Sequence, residues 1–306
     1  MPGSSPAQAT NRSTLLGGAA ILLWSTTIAF SRSLTEQLGT FSAAALIYCL
    51  AGIFGLVYVA VWGGGLRQLT RLPGAYLFGC GGLFVAYMVC LYGAIGLAAT
   101  RTQVLVIGLI NYLWPGLSLV FSIPLLGRKA KPFLPVGIAV ALAGIWLATN
   151  NGTDLTLAHM FTEPSARLPY SLAFIAAICW GLYSNLSRRW AANNDIGAVP
   201  LFLAASGLML GIFRIFTPEQ ANWSLEAGAA LVYMALFPAM LAYVLWDIAV
   251  RKGEIILVAS LSYLTPLLST LVSSMVLKVT PGPGLWFGAL LVMCGAVICK
   301  ASLANP

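Results

Sequence analysis

The stretch NYLWPGLSLVFS, Asn111 to Ser122, aligns without a gap to SYLTPLLSTLVS, Ser262 to Ser273, at an offset of 151 positions. The same offset pairs Arg101 with Lys252, Gln103 with Glu254, Gly137 with Gly288 and Gly144 with Gly295. Nearer the start of each half, an offset of 156 pairs Trp24 with Trp180 and Ser31-Arg32 with Ser187-Arg188. Chance supplies one shared Pro or Gly, whereas a run of matches at fixed offset indicates a duplicated unit.

The residues around these stretches are apolar. Of 306 residues, 59% are hydrophobic and 8% charged, with a mean hydropathy of +0.90. A soluble domain carries about 25% charged residues, so most of this surface must face lipid. A membrane-crossing helix needs roughly 20 apolar residues. The runs bounded by Gly, Pro and polar clusters predict ten: spans 15–35, 41–62, 74–99, 103–126, 132–149, 169–190, 197–217, 226–250, 254–277 and 283–303. The first run is too long for a cleaved signal peptide and is taken as span 1.

The expectation is an all-α membrane protein of ten transmembrane helices in two five-helix repeats around a central cavity. The repeats are residues 1–149 and 169–306, joined by a connector, 150–168, that holds the single histidine, His159. Five is odd, so the second repeat enters the membrane upside down. Inverted repeats place the substrate site near the bilayer midplane, where the halves meet.

Lys and Arg set the orientation. With a cytoplasmic N-terminus, 11 of the 16 fall in inside loops, among them Arg67, Arg71, Arg128, Lys129, Lys131, Arg251 and Lys252. Both termini are therefore expected in the cytoplasm. The net charge of +8 forms no basic face or arm, which argues against a nucleic-acid partner. All six cysteines lie in apolar runs and read as buried thiols.

Candidate chemistry sits on matched helical faces. Asn111, Pro115, Ser118 and Ser122 fall at i, i+4, i+7 and i+11, and Ser262, Pro266, Ser269 and Ser273 repeat that face. Each proline removes the hydrogen bond to the carbonyl four residues earlier, here Asn111 and Ser262. Unpaired backbone at membrane depth is tolerated only against protein or a wet cavity. Two readings stand: the stripes, with Tyr112 and Tyr263 beside them, line a central path, or they pack through small residues whose hydroxyls bond their own helix. Trp24 and, on one face of span 6, Trp180 and Tyr183 lie well inside their spans and suit stacking on a ring. Tyr87, Tyr243 and Trp246 add aromatic candidates in spans 3 and 8.

The missing residues matter as much. None of the eight acids is clearly at a span centre. Asp247 comes closest, with Arg251 placed to pair with it. No Lys or Arg sits mid-span. These absences disfavour a proton relay through a membrane carboxylate and a strongly anionic substrate, and leave a neutral or zwitterionic solute with a large apolar part. There is no metal-ligand spacing, phosphate loop or nucleophile–base arrangement, so no metal, cofactor or enzymatic activity is expected.

With LLWST in span 1 and INYLWPGLS in span 4, the chain resembles the EamA-type branch of the drug/metabolite transporter superfamily, most closely its YddG-like aromatic amino acid exporters. The resemblance implies export of aromatic amino acids from the bacterial cytoplasm across the inner membrane, with no obligate protein partner. It carries Trp24, Tyr87, Tyr112, Trp114 and Trp180 onto the cavity wall. Trp114 has Thr265 as its repeat counterpart, so an asymmetric site is expected on a symmetric scaffold. The alternative is export of a different neutral or zwitterionic metabolite or drug.

Overall fold

A computed structural model describes residues 6–150, 164–191, 197–253, 262 and 264–304. Most of the connector with His159, and both Glu254 and Tyr263, lie outside the described residues. The chain is almost wholly helical: α1 Pro6–Trp24, α2 Thr27–Leu38, α3 Thr40–Val61, α4 Gly81–Leu97, α5 Arg101–Asn111, α6 Trp114–Leu126, α7 Leu134–Asn150, α8 Pro164–Ala191, α9 Val199–Phe216, α10 Leu225–Met234, α11 Ala242–Lys252, α12 Thr265–Leu277 and α13 Pro283–Ala301. Wide π turns, Ala75–Cys80 and Ala235–Leu241, lead into α4 and join α10 to α11. Two short strands, β1 Lys129–Ala130 and β2 Leu303–Ala304, pair antiparallel.

Among the described residues, seven helices are long and apolar enough to cross a membrane, and Leu134–Leu147 and Thr265–Leu277 are shorter apolar helices. Large apolar side chains such as Phe78, Leu208, Ile215 and Phe216 point outward, as a lipid-facing surface requires. Trp62 and Trp223 are also exposed, both just beyond helix ends.

Two expected spans are not continuous. Span 1 breaks after Trp24. There the Ser25 and Thr26 hydroxyls donate to the Leu22 and Leu23 carbonyls at 2.7 and 2.8 Å, competing with the helical ladder. Span 4 breaks at Tyr112-Leu113. Pro115 has no N–H for the Asn111 carbonyl, and the ladder resumes only with Leu117 N–H on Leu113. Pro266 likewise stands in the first turn of α12, where Leu268 N–H bonds Leu264.

The helices pair along glycine seams. A Cβ on Gly144 would lie 2.6 Å from the Gly288 carbonyl, and one on Gly295 would lie 2.5 Å from the Ala141 nitrogen. Gly137 meets Gly295 and Cys299. Position numbers rise on α7 as they fall on α13, so the two helices run antiparallel. The seam of α3 and α9 is built likewise: Gly52 faces Ala204 and Gly55 faces Pro200. Around these seams α1 packs on α11, and α4 packs on α8.

Candidate functional site

The break in span 1 places Trp24 where its indole Nε1 donates to the Pro238 carbonyl, 3.1 Å away. Pro238 lies inside the π turn Ala235–Leu241, whose widened ladder leaves carbonyls without their usual donors. Thr26 spends its one proton on Leu23, so the Tyr233 hydroxyl is the donor across their 3.0 Å contact. These contacts tie the broken first helix to α10 and the π turn after it.

Around Trp24 the rings form one cluster. Its centroid lies 4.9 Å from that of Tyr243, 5.2 Å from Trp246 and 5.5 Å from Trp180, edge-on in the last case. Trp180 also meets Tyr87 at 4.9 Å and stacks on Tyr183 at 4.8 Å. Trp114 meets Trp246 at 5.1 Å. Each such pair contributes about 0.5–1.5 kcal/mol beyond its buried area, so the cluster is stiff.

These rings enclose a cavity of about 20 Å³ lined by Trp24, Thr27, Ile28, Tyr87, Leu91, Asn111, Tyr112, Trp114, Trp180, Tyr243 and Thr265. That is room for about one water, against roughly 300 Å³ or more for a ligand pocket. The structure is therefore closed around this point. Among the described residues, the wall carries no Asp, Glu, Lys, Arg or His. Thr27 Oγ1, Asn111 Oδ1 and Thr265 Oγ1 are buried there without hydrogen-bond partners among the described residues. Each such atom costs about 1–3 kcal/mol when left unsatisfied.

Seven expected site residues line this cavity: Trp24, Tyr87, Asn111, Tyr112, Trp114, Trp180 and Tyr243. Tyr183 and Trp246 touch its rings from behind. Ser262 is buried but off the wall, and Thr265, one turn on, takes the place on it. The stripe reading is corrected in part. Ser118 Oγ donates to the Trp114 carbonyl at 2.7 Å and Ser122 Oγ to Leu119 at 2.6 Å, so both serve their own helix. The break between Asn111 and Trp114 separates the stripe into two helices. Pro238 carries the same proline signal as Pro115 and Pro266, inside an apolar run, and sequence reasoning passed over it.

The charged groups lie away from the cavity wall. Arg251 Nη2 meets Asp247 Oδ2 at 2.8 Å with both side chains buried, and Tyr76 donates to the other carboxylate oxygen at 3.4 Å. Glu36 binds Arg32 and Arg101 at 2.7 and 2.6 Å on a more exposed edge, where Arg101 also donates to the Leu277 carbonyl. A larger groove, about 480 Å³, lies between α3, α9 and α11 and reaches the Asp247–Arg251 pair. Its other walls are apolar apart from Tyr58, and it gathers no further polar groups.

The sequence profile of the EamA-like transporter family matches residues 12–150 and 167–299. The chain belongs to this family. As an EamA-like protein it is a membrane transporter and not an enzyme. It is 32% identical over 292 residues to the aromatic amino acid exporter YddG of Salmonella typhimurium, covering 94% of this chain and 96% of that one. The exporters of the same name from Escherichia coli K12 and Ancylobacter novellus are 32% and 31% identical, with 94–96% of each chain covered. A crystal structure with 30% identity matches with a TM-score of 0.72, over 95% of this chain and 97% of that one.

Proposed function

We propose that this EamA-like transporter exports aromatic amino acids, Phe, Tyr and Trp, from the bacterial cytoplasm by alternating access. The observation that carries the reading is the cavity: indole and phenol rings around a small set of neutral polar atoms that, among the described residues, have no partners and no charged neighbour on the wall. Rings accept an aromatic side chain by edge and face, and the polar atoms accept its α-substituents. Relatives named as aromatic amino acid exporters support the same substrate class.

The architecture proposed for this function is ten spans in two inverted five-helix repeats, 1–149 and 169–306, with the connector 150–168 between them and both termini cytoplasmic. The family match falls in two segments with a gap at the connector. The antiparallel seams and the crossed packing, α1 on α11 and α4 on α8, support a two-fold relation between the halves. The cavity wall draws on both: Trp24, Tyr87 and Asn111 come from the first, Trp180, Tyr243 and Thr265 from the second. Movement of one half against the other would open the cavity to either side.

Among the described residues no carboxylate reaches the wall, and Asp247 pairs with Arg251. Export then runs down the substrate's own gradient. Uptake of labelled Phe into proteoliposomes should be reduced by excess Tyr or Trp and not by Lys or Glu. Equal competition by unrelated neutral metabolites would point to a different cargo on the same scaffold.

A further inference from the structure

We propose that the cavity recognises the α-ammonium group of its substrate through three neutral oxygens, Thr27 Oγ1, Asn111 Oδ1 and Thr265 Oγ1. This rests on the transport reading above and goes beyond it by assigning one end of the substrate to named atoms. The three residues are 9%, 3% and 1% exposed, all three oxygens lack partners among the described residues, and all three residues line one cavity. They come from three separate places in the chain, each at a helix discontinuity: the start of α2, the end of α5 and the start of α12.

The chemistry of the wall selects a cation of this shape. An –NH₃⁺ group has three donors and no acceptor, and the residues of three unpartnered oxygens able to accept line this cavity. The nitrogen with its hydrogens is about the size of a water, and the space between the rings holds about one. Asn111 Oδ1 can only accept, so a carboxylate placed against it would be repelled. The faces of Trp24, Trp114 and Trp180 carry negative quadrupoles that attract a cation. A carboxylate is best held by Arg, Lys or His, and the wall has none among the described residues.

The test uses the full chain, with ligand binding followed by tryptophan fluorescence and by competition against labelled Phe in proteoliposomes. The probes are L-Phe, phenethylamine, which lacks the carboxylate, and 3-phenylpropionate, which lacks the ammonium. Phenethylamine should bind within about tenfold of Phe, and 3-phenylpropionate at least about tenfold more weakly than phenethylamine, the scale of hydrogen bonds to a charged group. The double variant Thr27→Val, Thr265→Val should weaken Phe and phenethylamine at least about tenfold, and Thr27→Ser, Thr265→Ser should restore both. The serine pair controls for folding, since it keeps the hydroxyls and loses only methyls. Equal binding of 3-phenylpropionate and phenethylamine, or unchanged binding in the folded valine pair, would overturn the assignment. Phenethylamine bound with no Phe flux in the wild type would instead sink the transport reading and leave the ammonium site standing.

Discussion

Where α7 crosses α13, Gly144 and Gly137 meet Gly288 and Gly295 so closely that no methyl group fits between the backbones. Around Trp24 and Trp180, by contrast, the wall leaves a water-sized gap and three buried polar atoms without partners among the described residues. Both regions are made of residues that match between the halves of the sequence. The seam uses its matched glycines alike on both sides. The cavity does not, because Trp114 faces inward where its counterpart is Thr265. The difference separates two tasks: symmetric, close-packed contacts hold the scaffold, and we assign the asymmetric, unsatisfied ones to a ligand.

The buried charge pair belongs with the satisfied side of that comparison and should show the largest effect. Asp247→Ala leaves Arg251 buried without its carboxylate and is expected to cost about 3–5 kcal/mol, read as a drop in Tm of the detergent-solubilised protein. A drop no larger than that of an exposed-pair variant would remove Asp247 from the scaffold. Gly144→Val forces a branched side chain against the Gly288 carbonyl and should cost about 1–3 kcal/mol or more from overpacking. Flux per folded molecule should fall little. If it fell steeply in protein of unchanged Tm, the seam would be part of the moving machinery.

Thr265→Trp gives the second half the indole that Trp114 supplies in the first. It should overfill the cavity and reduce Phe flux at least about tenfold, the scale of a lost close contact, with a monodisperse protein on size exclusion. Undiminished flux would take the cavity out of the transport path. Glu36→Gln, in the half-exposed cluster with Arg32 and Arg101, should change stability by about 1 kcal/mol or less. The smallest expected effect is that of an imposed pH gradient. With no carboxylate on the wall, flux of Phe should respond weakly to it, and a strong response lost in Asp247→Asn would assign that residue a proton-coupling role.

Much of this was legible before any coordinates. The apolar runs and the 151-residue offset pointed to the helices and to Pro115 and Pro266, because hydropathy and proline chemistry are local properties. Trp24 and Trp180 were legible as a pair at an offset of 156, and Tyr87 and Tyr243 as aromatic candidates in their spans. What the sequence hid was rotation. Ser25 and Thr26 look like continuing helix, yet their hydroxyls bond back and break it, which turns Thr27 onto the wall. Ser118 and Ser122 share the helical face of Asn111 on paper, but the break at Tyr112-Leu113 divides that face. Thr265 takes the place expected of Ser262: it opens α12 and lines the wall, three residues on.

We propose that an aromatic amino acid on its way out sits in the ring-lined cavity. Counterflow tests it most directly: proteoliposomes loaded with unlabelled Trp, diluted into labelled Trp, compared with the same protein carrying Thr265→Trp. The account expects a transient accumulation of label in the wild type and none in the variant. No accumulation above protein-free liposomes in the wild type, or equal accumulation in both, would contradict it.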